Sequence, residues 1–186
     1  MRRTSCLLLL ALLLPFSLAR ADTILHSFET DTEGWENESA SPVAPYRETN
    51  MVHHGLHSLA FKFHFAKTNS TLHIRCKEGY PKNFAESPTF RGFTAWVYIS
   101  RGETSLKIEN FEIQMFARSG ETWQWTTGDV NSEIGLGWVK VDIRSDQIFD
   151  VAQIQDIGIQ VRNRINDLKA TVYIDQVEAL GVAATP

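Results

Sequence analysis

The feature that most constrains this chain is alternation. Leu59, Phe61, Phe63 and Phe65 are separated by Ala60, Lys62 and His64, and Phe93, Ala95, Val97 and Ile99 by Thr94, Trp96 and Tyr98. Phe111, Ile113, Met115 and Ala117 are separated by Glu112, Gln114 and Phe116. Val139, Val141 and Ile143 repeat the pattern, as do Ile157, Ile159 and Val161, and then Val172 and Ile174, with a bulge expected between Ile174 and Val177. A period of two puts successive side chains on opposite sides of a strand, so each stretch has one face for a core. Gly92, Gly102, Gly120 and the Gly135/Gly137 pair punctuate these stretches as turns do. Only residues 145–155 have a helical look, and they read equally well as a loop with one short turn. The expectation is an all-β, antiparallel β-sandwich of two sheets with four to five strands each.

Residues 1–21 read as a secretory signal peptide. Arg2 and Arg3 are charged, residues 7–14 are apolar, and Ala19-Arg20-Ala21 fits a small-x-small cleavage site. The apolar run is shorter than the ~20 residues a membrane span needs. Cleavage would remove three of the 18 basic residues and none of the 22 acidic ones, leaving a net charge of −7. That balance argues against nucleic acid and anionic membranes as partners and suits a neutral ligand. Of the two cysteines only Cys76 would remain, so no internal disulfide is expected in the secreted protein. The mature chain is long enough for one well-cored domain. We place it at residues 22–181, with 182–186 as a short tail. Asn37 and Asn69 open glycosylation sequons that matter only in a eukaryotic host.

The two ends appear as strand-like runs that each carry a carboxylate. FETDTEGW (residues 28–35) holds Glu29, and TVYIDQVEAL (residues 171–180) holds Asp175. A carboxylate among apolar residues is unfavourable unless it is paired or bound to a metal. The two segments, with HGLHSL (54–59), ETWQWTTG (121–128), GWVKVDI (137–143) and IGIQV (157–161) between them, resemble in chain order the galactose-binding-like jelly rolls of secreted carbohydrate-binding modules. The resemblance covers nearly the whole mature chain. It implies a jelly-roll fold and a structural calcium held by Glu29 and Asp175 between first and last strands. The other reading has both acids paired with arginine or lysine, or accepting backbone N–H groups. His53, His54 and His57 lack the acids or cysteines that would complete a zinc site, and read as a turn carrying surface histidines. His64 and His73 read as solvated or hydrogen-bonded.

If the alternating apolar residues face inward, Trp96, Tyr98, Glu112, Gln114, Phe116, Gln160 and Arg162 face outward, joined by one or both of Trp123 and Trp125. Outward aromatics need a reason. Pyranose rings stack C–H faces on aromatic rings and offer hydroxyls to amides, carboxylates and guanidinium groups. These nine residues are therefore the candidate carbohydrate-binding set, arranged as a groove on one sheet. Trp123 and Trp125 read equally as core, and Trp35 and Trp138 read as structural.

No nucleophile elbow, zinc-protease, phosphate-loop or dinucleotide motif is present. Asp175 and Glu178 stand on opposite faces of a strand, whereas a glycosidase pair must share one cleft. The expected function is non-catalytic binding of a polysaccharide of mannan, β-glucan or xylan type. The alternatives are a structural or protein-interaction domain of a secreted or surface complex, and a small glycan-degrading enzyme. Modules of the resembled class commonly serve a secreted glycoside hydrolase, the further partner the resemblance implies.

Overall fold

The computed structural model describes residues 22–38, 44–100, 111–131 and 137–182. The expected leader, the tail beyond Val182, and the turn glycines Gly102 and Gly135 lie outside the described residues. Among the described residues eleven strands form: β1 Thr23–His26, β2 Trp35–Asn37, β3 Tyr46–Glu48, β4 Ser58–Phe65, β5 Thr71–Cys76, β6 Gly92–Ser100, β7 Phe111–Ser119, β8 Gln124–Thr127, β9 Val139–Arg144, β10 Ile154–Asn163 and β11 Leu168–Leu180. The helical-looking segment contributes one 3-10 turn, Ser145–Gln147, and then enters β10.

Two antiparallel sheets stack face to face. One runs β3-β4-β11-β6-β9, with β1 also paired to β11, and the other runs β2-β5-β10-β7-β8. The first sheet thus has six strands, one more than expected, because short β1 and β3 cap its edge. The alternating residues meet between the sheets. Leu59, Phe61, Phe93, Val97, Ile113, Met115, Ile159 and Ile174 are all buried there. Trp35 joins this core as expected, while Trp138 does not. Trp138 stands half-buried against Tyr98 and His53 on the outside of the six-stranded sheet.

The first and last segments do meet. Thr23 pairs with Ala179 and Ile24 with Glu178. The expected bulge is present as a register shift between Asp175 and Glu178, with Gln176 at φ 48°. FETDTEGW, however, is not a strand. β1 ends at His26, Phe28 turns into the core at φ 60°, and the rest of the run is the loop to β2. Glu33 closes that loop. Its carboxylate accepts the N–H of Phe28 at 2.6 Å and of Ser27 at 3.2 Å, and meets His26 Nδ1 at 3.1 Å. Cys76 is buried and free, and its thiol donates to the Glu78 carbonyl at 2.8 Å. Burial pushes the thiol up to about 11, so it is unreactive at neutral pH.

Glu33→Ala should strand the Ser27 and Phe28 N–H groups in a partly buried loop, and lower stability by about 1–3 kcal/mol. The measurement is urea unfolding, in which the midpoint falls while the slope is unchanged.

Candidate functional site

The nine outward residues do not form one groove. Trp96 and Tyr98 belong to β6, in the six-stranded sheet, while Glu112, Gln114, Phe116, Gln160 and Arg162 belong to β7 and β10, in the other sheet. Alternation gave the correct outward direction for each, but the two groups stand on opposite outer faces of the sandwich.

The outer face of the five-stranded sheet is built in rows across paired strands. His73 of β5 is level with Gln160 of β10, which is level with Gln114 of β7. On one side of this row, Thr71, Arg162 and Glu112 are level. On the other, Arg75 and Phe116 flank Gly158, and Phe116 pairs with Thr127 of β8. Gly158 is what lets this row lie flat. A Cβ there would sit 2.2 Å from the Ile74 carbonyl and 2.5 Å from the Phe116 ring. Phe116 therefore faces outward, as its parity requires, yet it is fully buried because Trp125 stacks on it at 4.1 Å and 17°. It acts as the floor under Trp125 rather than as an exposed stacking ring. His73 lies 4.9 Å from Trp125 and 5.9 Å from Phe116, with Nε2 3.3 Å from Gln160 Oε1. Burial lowers the His73 pKa, so the ring is neutral at neutral pH and able to share a proton with the amide.

Trp123 and Trp125 are not core. They are 45% and 37% exposed. The β7–β8 hairpin presents them, turning through Gly120 at φ 73° and Trp123 itself at φ 55°, with the Trp123 N–H donating to the Gly120 carbonyl at 3.2 Å. A tryptophan in left-handed backbone is strained and is held there by its surroundings. Arg118 is the holder. Its guanidinium carbon lies 5.4 Å from the Trp123 ring centre, 5.6 Å from Trp125 and 5.8 Å from Phe116.

Arg118 is fixed by a carboxylate that alternation alone did not single out. Asp156 of β10 has no exposed surface, and both its oxygens take the Arg118 fork, with Nε at 2.7 Å. Glu38 accepts from Arg118 and from Arg75, each at 2.8 Å, and Arg75 also reaches Glu36 at 2.9 Å. Burial pulls the Arg118 pKa down, but Asp156 and Glu38 outweigh it and the guanidinium stays charged. The sequence carries only the outward parity that Asp156 and Arg118 share with Gln160 and Gln114; their pairing comes from the register of β10 on β7. At the far end, Glu112 is engaged by Arg164 and lies 3.8 Å from Arg162. The face thus offers two exposed indoles, a neutral imidazole and two level amides, bordered by arginines.

Glu29 and Asp175 line one open cavity together with Gly55, Leu56 and Gln176, as the resemblance implies. Glu29 is not on a strand; it lies in the loop after β1. Calcium needs a shell of oxygens. Here Glu29 accepts the N–H of Leu56 at 2.8 Å and faces His57 Nδ1 at 3.2 Å. Asp175 accepts the N–H groups of His53 and His54, both at 2.9 Å. The Leu56 N–H, with His57, holds the Glu29 carboxyl below its usual range, whereas burial pushes Asp175 up against its N–H bonds. Positive ends of N–H dipoles occupy the positions a cation would take. Among the described residues no group of three or more His, Cys, Asp or Glu is placed to hold a metal. In this arrangement the residues do not fit calcium; the N–H alternative describes both acids. His53 and His54 are exposed, as a turn of surface histidines should be.

Asp156→Asn removes the charge that compensates Arg118 in a buried setting, and should cost about 3–5 kcal/mol. It should also loosen Trp123 and Trp125, read as a red shift and a rise in quenching of tryptophan fluorescence below the melting transition. For the loop carboxylates the expectation is a melting temperature unchanged by chelator or by added calcium. A rise with calcium would show that the 53–57 loop can turn carbonyl oxygens to an ion.

The fold recurs in solved structures. A carbohydrate-binding module of family 28, described as specific for non-crystalline cellulose, has a TM-score of 0.60 at 13% identity, over 86% of this chain and 94% of that one. The CBM22-1 xylan-binding domain of Paenibacillus barcinonensis Xyn10C has a TM-score of 0.54 at 18% identity, over 89% and 99%. The CBM22-1 and GH10 modules of Clostridium thermocellum endo-1,4-β-D-xylanase 10B, solved with xylohexaose, have a TM-score of 0.57 at 12% identity, over 89% of this chain and 29% of that one. A comparison with curated protein sequences finds no match. The family model described as "Mannanase, galactose-binding domain-like" matches residues 26–176, and the chain belongs to that family.

Proposed function

We propose that this protein is a non-catalytic module that binds the interior of a neutral polysaccharide chain on the outer face of its five-stranded sheet. The observation that carries this reading is the Trp123–Arg118–Trp125 cluster beside the Gln114–Gln160–His73 row. Indole faces suit the C–H faces of pyranose rings, and level amides suit their hydroxyls. The mature chain's negative balance disfavours an acidic polymer and is compatible with a neutral one. The family's mannanase description makes β-mannan the first polymer to test, ahead of xylan and mixed-linkage β-glucan.

The carboxylates of this face support binding rather than catalysis. Asp156, Glu36, Glu38 and Glu112 are each held by an arginine. Such pairing favours the charged form and disfavours a general acid. The neighbour that joins a module of this fold to a xylanase supports a glycoside hydrolase as partner. The leader at residues 1–21 supports action outside the cytoplasm.

The test is affinity electrophoresis in gels containing mannan, xylan or mixed-linkage β-glucan, with a polymer-free gel as control. Retardation by one polymer is expected, and Trp125→Ala should weaken it at least about tenfold. Gln114→Ala should weaken it less. Unchanged migration in every gel overturns the reading.

Binding should also depend on pH through His73. Its folded pKa lies below the ordinary 6.5 because burial disfavours the charged ring. Affinity should be flat from neutral upward and fall as acid forces the proton on. His73→Gln should remove that acid limb.

A further inference from the structure

The outer face of the six-stranded sheet carries its own row of rings. Tyr46 of β3 is level with Ala60 of β4, Ala60 with Tyr173 of β11, and Tyr173 with Tyr98 of β6. Trp138, next to β9, continues the row at 5.9 Å from Tyr98, and Tyr173 lies 5.9 Å from Tyr98 on the other side. At a strand spacing of about 4.8 Å, the row from β3 to β9 spans about 19 Å. Trp96 stands beside it with His53 stacked on its face at 4.0 Å and 19°. All of these rings except the exposed His53 are half-buried, and none belongs to the core between the sheets.

We propose that this row is a second polysaccharide-contact surface, so that the domain holds one chain on each outer face. The proposal rests on the ligand class argued above for the five-stranded face. Its own support is the chemistry of the row. No aliphatic side chain larger than Ala60 stands in the row itself. The rings are tyrosines and tryptophans, which join an apolar face to a hydrogen-bonding edge. The flanking charges balance: Lys62, Lys140, Arg144 and Lys169 stand with Glu48, Asp142, Asp175 and Glu178 on the outward parity of the same sheet. A balanced border suits a neutral chain and offers an acidic or basic polymer no net attraction. Lys62 lies 5.3 Å above the Tyr46 ring and Lys140 5.9 Å from Trp96, which places amine donors at two points along the rings.

Two faces pointing in opposite directions cannot share one chain segment, so they would bridge separate chains and raise retention by effective concentration. The test titrates the purified protein with β-1,4-mannohexaose and xylohexaose by calorimetry, and follows light scattering of soluble mannan. The parent should take two hexasaccharides. Tyr98→Ser with Tyr173→Ser should take one and lose bridging. Trp138→Ala, which leaves every ladder hydrogen bond in place, should do the same should the tyrosine pair fail to fold. Trp125→Ala should also take one, by losing the other face. One hexasaccharide per parent, lost only with Trp125→Ala, overturns the second surface and leaves the first. One site lost only with the tyrosine pair or Trp138→Ala supports this surface and overturns the reading of the five-stranded face. A parent that takes none of these ligands overturns both. Concentration-dependent dimers that disappear in the tyrosine pair, with sugar stoichiometry fixed at one, overturn the proposal in favour of contact between copies.

Discussion

The fold turns on β11. This strand pairs with β6 along one edge and, along the other, with β4 through residues 168–174 and then with β1 through residues 177–179. The changeover falls at the bulge, where Gln176 adopts positive φ. β4 begins at Ser58, so its pairing with β11 stops at Leu59, and β1 takes over the same edge beyond the bulge. Asp175 is the last residue before the bulge, level with Trp96 and on the outward parity of Tyr173. Its carboxylate accepts the His53 and His54 N–H groups, which ties the β3–β4 loop to the place where the chain ends meet. The sheet edge changes partner, the first strand is seated and the neighbouring loop is tied down within residues 174–179 of β11.

Because each strand separates a core face from an outer face, a two-sheet sandwich has two outer surfaces, and alternation cannot distinguish them. Trp96 and Gln114 have the same parity relative to their own apolar neighbours, yet they stand on opposite sides of the molecule. Which sheet a strand joins depends on pairing between residues far apart in sequence, such as Gln160 with His73 and Tyr173 with Tyr98. Local periodicity carries no such information. The longer strands were therefore legible and their partners were not. The three-residue strands β2 and β3 were missed because a run that short has no period to detect.

The same limit explains the individual residues. Phe116 has an outward parity that was read correctly. Its burial depends on Gly158 across the ladder and on Trp125 across the hairpin, and neither is a neighbour in sequence. Asp156 shows the opposite case. A lone acid near the start of a strand looks solvated, and only its partner on β7, Arg118, makes it a buried anchor. Glu29 was assigned to a strand because FETDTEGW looks like one. Glu33, four residues on, accepts the N–H groups of Ser27 and Phe28 and folds the run into a loop. Hydrogen bonds from side chain to backbone compete directly with ladder pairing, and here they win.

Arg118 connects the buried chemistry to the surface. A free arginine over two indoles would lose rotamer entropy on meeting a ligand, and so would the indoles. Asp156 and Glu38 have already fixed the guanidinium, and the guanidinium in turn fixes both rings. The ordering is completed when the chain folds rather than when a sugar arrives. The buried ion pair need add nothing to net stability for this to hold, since replacing such pairs with apolar residues is often neutral. Its contribution is geometric: it holds a flat cation between two exposed tryptophans, one of them in strained backbone that would otherwise relax. A floor of Phe116 over Gly158 then keeps the whole group level with the amide row.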